Sequence, residues 1–120
     1  MATILIIDDE ESIRNLLKEV LEQANHRVLE ARDGREGLAL YQQNKVDLVL
    51  MDILMPGTDG LEATLQLTKE YLDAKVIAMT GAQAERNFLV VAKLFGACRV
   101  FEKPFNLDQL MQAVNEELAK

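Results

Sequence analysis

The chain is 120 residues long, with 49% hydrophobic and 28% charged side chains, a balance that suits one folded domain over residues 1–120 rather than a disordered segment. Thirteen basic against twenty acidic residues leave a net charge of −7, which opposes direct binding to nucleic acid or to an anionic membrane surface. Cys98 stands alone and excludes an internal disulfide, and with neither a signal-type start nor an apolar run of about 20 residues the expectation is a cytoplasmic protein without membrane insertion.

Thr3 to Ile7 is an unbroken aliphatic and β-branched run, the pattern of a strand buried on both faces, and it stops on Asp8-Asp9-Glu10-Glu11. Ile13, Leu16, Leu17, Val20, Leu21 and Ala24 then recur at helical spacing. Acids at the start of that helix complement its dipole, which accounts for Glu10 and Glu11 better than for the aspartates. Arg27 to Ala31 reads as a second strand with a turn at Asp33-Gly34, and the helix over 35–44 turns Leu38 and Tyr41 inward. Leu48 to Met51 is the third strand, ending on Asp52 and a Met-Pro-Gly-Thr-Asp-Gly loop. A helix over 61–72 places Leu61, Leu65, Thr68 and Leu72 on one side. Lys75 to Thr80 forms the fourth strand, 84–95 a fourth helix stopped by Gly96, Arg99 to Phe101 the fifth strand, and Leu107, Leu110, Val114 and Leu118 mark a last helix.

Strict alternation of five strands with five helices predicts a doubly wound α/β fold, because parallel strands need crossover helices and those helices cover both faces of the sheet. Ligands of such sheets bind beyond the carboxyl ends of the strands. Asp8, Asp9, Asp52, Thr80 and Lys103 all fall there, on four different strands. Taken singly, Asp52 could be a turn residue, Thr80 a strand end and Lys103 a solvated lysine; surface turns explain the whole set poorly. Three carboxylates at one rim repel unless a cation joins them, and an oxygen-only set without His or Cys suits Mg²⁺ rather than zinc. His26, on a helix-to-strand connection, has no metal role in this reading. With a cation present, the Asp52 carboxylate could attack phosphorus, Lys103 could flank the phosphoryl oxygens and the Thr80 hydroxyl could donate to one of them.

Ile-Asp-Asp-Glu at 7–10, Met-Asp-Ile-Leu-Met-Pro-Gly-Thr-Asp-Gly at 51–60, Met-Thr-Gly at 79–81 and Glu-Lys-Pro-Phe at 102–105 together resemble the receiver domain of two-component response regulators over nearly the whole chain. The resemblance implies strand order 2-1-3-4-5 and Asp52 as phosphoacceptor. It also implies Mg²⁺ held by Asp9, Asp52 and the backbone carbonyl of Leu54, with Asp8 assisting through water. Thr80 and Lys103 would sense the phosphoryl group, and a cis bond would precede Pro104. The phosphoryl donor would be a histidine kinase or a histidine phosphotransfer protein, and the output a changed affinity for a downstream protein. Receivers often carry Tyr or Phe three residues before the lysine, where this chain has Val100; Phe101 next to it should face the other way along a strand. The switch is therefore expected to run through Thr80 and the fourth helix with its preceding loop. Leu54 and Ala82, at positions that influence lifetime in the family, cannot align an attacking water through a side-chain hydrogen bond, so slow self-dephosphorylation is expected. The fourth helix is apolar around more than one face, and Val90 and Leu94 are assigned to a partner surface, with a homodimer as one possible occupant.

Two other readings compete. An aspartyl-phosphate hydrolase of the haloacid-dehalogenase type places a second Asp two residues after its nucleophile, where this chain has Leu54. A receiver cut from a larger regulator with an output domain would carry the same residues. A nucleotide-binding domain is weaker, since no Gly-rich phosphate loop follows the first strand.

Overall fold

The computed structural model describes residues 1–55, 58–81 and 86–120, and side chains outside 54–59 and 82–89. Five strands, β1 (Thr3–Ile7), β2 (Arg27–Ala31), β3 (Leu48–Asp52), β4 (Val76–Thr80) and β5 (Arg99–Glu102), form one parallel sheet in the order β2-β1-β3-β4-β5. Five helices follow them in turn: α1 (Glu11–Gln23), α2 (Gly34–Gln43), α3 (Gly60–Glu70), α4 (Arg86–Leu94) and α5 (Leu107–Leu118). Leu54–Met55 and Thr58–Asp59 add a small antiparallel ribbon after β3, inside the stretch read from sequence as a loop.

The period-2 alternation of the strands divides the core in two. Leu5, Ile7, Val49, Met51, Val76, Ala78 and the half-buried Val100 pack with Leu61, Leu67 and Ala92, beneath α2, α3 and α4. Ile4, Ile6, Leu48, Leu50, Ile77, Met79 and Phe101 face the other side, against Leu17 and Leu21 of α1 and Leu110 and Val114 of α5. Val100 and Phe101 thus lie on opposite faces, as alternation requires. All five residues of β3 are buried, which is why its sequence reads as an apolar run with no polar face.

Helix ends follow local chemistry. Asp33 caps α2 by accepting from the Glu36 N–H at 2.9 Å, and Asn106 caps α5 by accepting from Gln109 N–H at 3.0 Å. At the end of α4, Gly96 adopts φ 107° while Ala97 N–H donates to the carbonyl of Ala92 at 3.0 Å, closing a Schellman turn. A side chain on Gly96 would also strike Thr68, whose hydroxyl donates to the Phe95 carbonyl at 2.6 Å. Gly60 is needed for closeness: a Cβ there would collide with the backbone of Asp52 and Ile53, against which α3 begins.

Two side chains depart from the periodic reading. Leu72 is 96% exposed, because α3 ends at Glu70 and Tyr71 makes the inward contact instead, its ring centroid 4.7 Å from that of Tyr41. Leu16 is 40% exposed, at the edge of a stripe centred on Leu17 and Leu21. No helix among the described residues is long and apolar enough to cross a membrane.

Candidate functional site

Strand register assembles the site. Ile7 pairs with Met51, so the next residues along the two strands are Asp8 and Asp52. Asp52 pairs with Met79, placing Thr80 one step beyond, and Thr80 pairs with Glu102, placing Lys103 one step beyond that. The Lys103 N–H donates to the Thr80 carbonyl at 2.6 Å, which joins the last two strand ends directly. The Lys103–Pro104 peptide bond is cis.

Asp8 is fully buried, Asp52 is 2% exposed and Thr80 1% exposed. Unpaired carboxylates at such depth would cost several kcal/mol each, so a counter-charge is required. Lys103 supplies it. Its Nζ lies 3.0 Å from Asp8 Oδ2, 3.3 Å from Glu10 Oε1 and 3.6 Å from Asp52 Oδ2. Burial pulls the Lys103 pKa down, but the hydrogen bond to Asp8 and the charges of Asp8, Asp52 and Glu10 outweigh it, so the ammonium titrates above its ordinary range. The second Asp8 oxygen accepts from the Glu10 N–H at 2.9 Å.

One oxygen each from Asp8, Glu10 and Asp52 lie within 4.8 Å of one another, a spacing a single hard cation could bridge. Glu10 was not legible as a member of this set, since its place at the start of α1 already gave it a use at the helix dipole; its only signal is adjacency to the Asp pair. Asp9 is exposed and stands outside the trio. It lies at a bend between β1 and α1. Leu54 lies in the ribbon, its backbone paired with Asp59, and Ala82 falls outside the described residues. His26 is remote from the rim: its Nδ1 accepts from Ala2 N–H at 3.2 Å, and burial with the positive N-terminus lowers its pKa.

The Thr80 hydroxyl is the other distinctive group. Its Oγ1 is buried and has no hydrogen-bond partner among the described residues. A buried hydroxyl left unpaired costs about 1–3 kcal/mol, so this side chain, without a partner among the described residues, is a candidate donor at the rim. On α4, Val90 is 60% and Leu94 77% exposed, one helical turn apart.

The family model described as the response regulator receiver domain matches residues 4–115. The chain is 42% identical to protein PilH of Pseudomonas aeruginosa over 99% of both sequences. It is 36% identical to sporulation initiation phosphotransferase F of Bacillus subtilis over 96% of this chain and 92% of that one. Among solved structures it is similar to response regulator protein TrrA from Thermotoga maritima in complex with Mg²⁺-BeF, with TM-score 0.87 and 36% identity over 98% and 99% of the two chains. It is also similar to a CheY-like receiver domain protein from Methanospirillum hungatei, with TM-score 0.93 and 31% identity over 99% and 94%.

Proposed function

The chain belongs to the response regulator receiver family, and from that premise we propose that it is a phosphorylation-dependent switch which takes a phosphoryl group onto Asp52 from a phosphohistidine of a kinase or phosphotransfer protein. The observation that carries this reading is the convergence of Lys103 on Asp8, Glu10 and Asp52 beside a buried Thr80 hydroxyl that has no partner among the described residues. A carboxylate oxygen of Asp52 attacks phosphorus, the donor's N–P bond breaks and its electron pair stays with the imidazole. The Lys103 ammonium then faces the transferred oxygens, and the Thr80 hydroxyl gains an acceptor that the described residues do not supply.

The donor set fits Mg²⁺: all the clustered ligands are carboxylate oxygens, and the orphaned hydroxyl suits a phosphoryl oxygen. Asp8, Glu10 and Asp52, with Asp9 and the Leu54 carbonyl, are the residues that would hold it. Bound there, the ion supplies neutralisation of phosphoryl charge.

Val90 and Leu94 form the surface by which a protein partner reads the state of α4. Val90→Asp should abolish partner capture or self-association and leave phosphorylation intact; association that survives the substitution contradicts this assignment. Absence of a carboxylic acid at position 54 argues against a turnover phosphatase, and the acyl phosphate should persist.

Incubation with acetyl phosphate and Mg²⁺ tests the whole reading by intact mass. One phosphoryl group should add, only with Mg²⁺, and Asp52→Ala should abolish it. Followed in time, the adduct should decay faster in Leu54→Asn. Steady hydrolysis of added phosphate esters would instead favour the hydrolase.

A further inference from the structure

The end of β1 is held by a residue that neither the motifs nor the comparisons assign. Arg14, in the first turn of α1, donates from Nη1 to the backbone carbonyl of Asp8 at 2.7 Å. Its Nε lies 3.5 Å from Oε1 of Glu30 on β2, and only 11% of its side chain is exposed. Asp8 sits where the parallel ladder runs out. Its N–H still reaches the Ala31 carbonyl at 3.1 Å, but β2 ends at Ala31 and offers no donor for the Asp8 carbonyl. With Asp8 fully buried, that carbonyl needs a partner from the protein.

Any donor could satisfy a carbonyl; a guanidinium does more. Its rigid fork of donors reaches Asp8 and Glu30 together, tying α1, β1 and β2 at one point. The Asp8 peptide groups are thereby fixed on both sides, at its N–H by Ala31 and at its C=O by Arg14. The plane of the Asp8–Asp9 peptide sets where the next two side chains begin, and the Asp8 carboxylate is itself engaged by Glu10 N–H and Lys103.

We propose that Arg14 is a positioning residue for the cation: it fixes the Asp8–Asp9 peptide so that the carboxylates just after β1 face the ion, and Glu30 holds its guanidinium in place. This rests on the reading that the site takes Mg²⁺. Lys18 provides a control, since its Nζ lies 3.5 Å from the other oxygen of Glu30 and makes no contact with Asp8.

Mg²⁺ titrations of the full chain, followed by the backbone amide shifts of residues 8–10 at a temperature where every variant is folded, test the proposal. Arg14→Gln should weaken Mg²⁺ binding about tenfold, the scale of losing a residue that orients a ligand. Glu30→Gln should weaken it less, Arg14→Lys should restore part, and Lys18→Gln should leave it unchanged. An arginine with only a structural role would lower the melting temperature and leave the Mg²⁺ dissociation constant where it was; that result overturns the proposal, as does equal weakening by Lys18→Gln. If Arg14→Gln does not fold, Glu30→Gln against Lys18→Gln decides. A wild-type chain that takes up no Mg²⁺ overturns the underlying reading and this proposal with it, and is told apart because the failure then precedes any substitution.

Discussion

Lys103→Met should destabilise the protein by about 2–4 kcal/mol at pH 7 without divalent cations, and Mg²⁺ should restore much of the loss. The ammonium is the charge shared by Asp8, Glu10 and Asp52, and its removal leaves two nearly buried carboxylates and a third, more exposed one to repel. Breaking a fully buried pair costs about 3–5 kcal/mol; Glu10, with 56% of its side chain exposed, brings the figure down. The pH dependence fixes the sign. The folded pKa of Lys103 is raised, so its contribution is complete below the ordinary lysine range and is lost as pH rises through the folded value. Tyr41, whose pKa is raised by burial first and by nearby Asp73 next, also costs stability in alkali, so the readout is the difference between the two profiles. The variant should lack the lysine part of the alkaline loss. Chemical denaturation across pH, with and without Mg²⁺, measures this. Equal stability of the two proteins at neutral pH would contradict the assignment of Lys103 as the counter-charge.

Thr80→Val should move stability the other way. The two side chains are nearly the same shape, and the Thr80 hydroxyl is buried with no partner among the described residues. Replacing it with a methyl removes a desolvated polar group and loses no hydrogen bond to the described residues, so the unphosphorylated protein should gain about 1–2 kcal/mol. In the proposed switch the phosphoryl group on Asp52 gives the hydroxyl an acceptor, so any stabilisation or α4 shift that phosphorylation produces in the wild type should be smaller in the variant. Urea unfolding of both proteins, with and without acetyl phosphate and Mg²⁺, reads the two effects together. A loss of more than about 1 kcal/mol in the unphosphorylated variant would mean that the hydroxyl is already bonded at rest.

The two predictions draw on residues that sequence made visible to different degrees. Apolar runs ending on Asp8, Asp52, Thr80 and Lys103 placed those four at strand ends, since a strand buried on both faces has few other places for a charge or hydroxyl. The alternation of Val100 and Phe101 was equally plain, because a strand's period of two does not depend on its neighbours. Strand order was different. Every inner strand reads as the same apolar run, so periodicity cannot rank them, and the order came with the resemblance and was then found in the sheet. Glu10 was hidden because a helix start already explained an acid there, and its contact with Lys103 joins residues 93 apart in sequence. Arg14 was hidden for a related reason: one of its partners is a backbone carbonyl, which leaves no mark on side-chain pattern, and the other, Glu30, lies on a different strand. Leu72 fitted the helical stripe, yet the helix ended before it, and only the packing of Tyr71 against Tyr41 reveals which side chain turned inward.

Asp52 is the residue proposed to carry the phosphoryl group. Borohydride reduction of the acetyl-phosphate-treated, Mg²⁺-loaded protein, followed by peptide mapping, identifies the acylated side chain directly, since reduction converts an aspartyl phosphate to homoserine. Homoserine at position 52 and at no other aspartate is the predicted result. Homoserine at Asp8 or Asp9, or a modified protein with Asp52 intact, would contradict it.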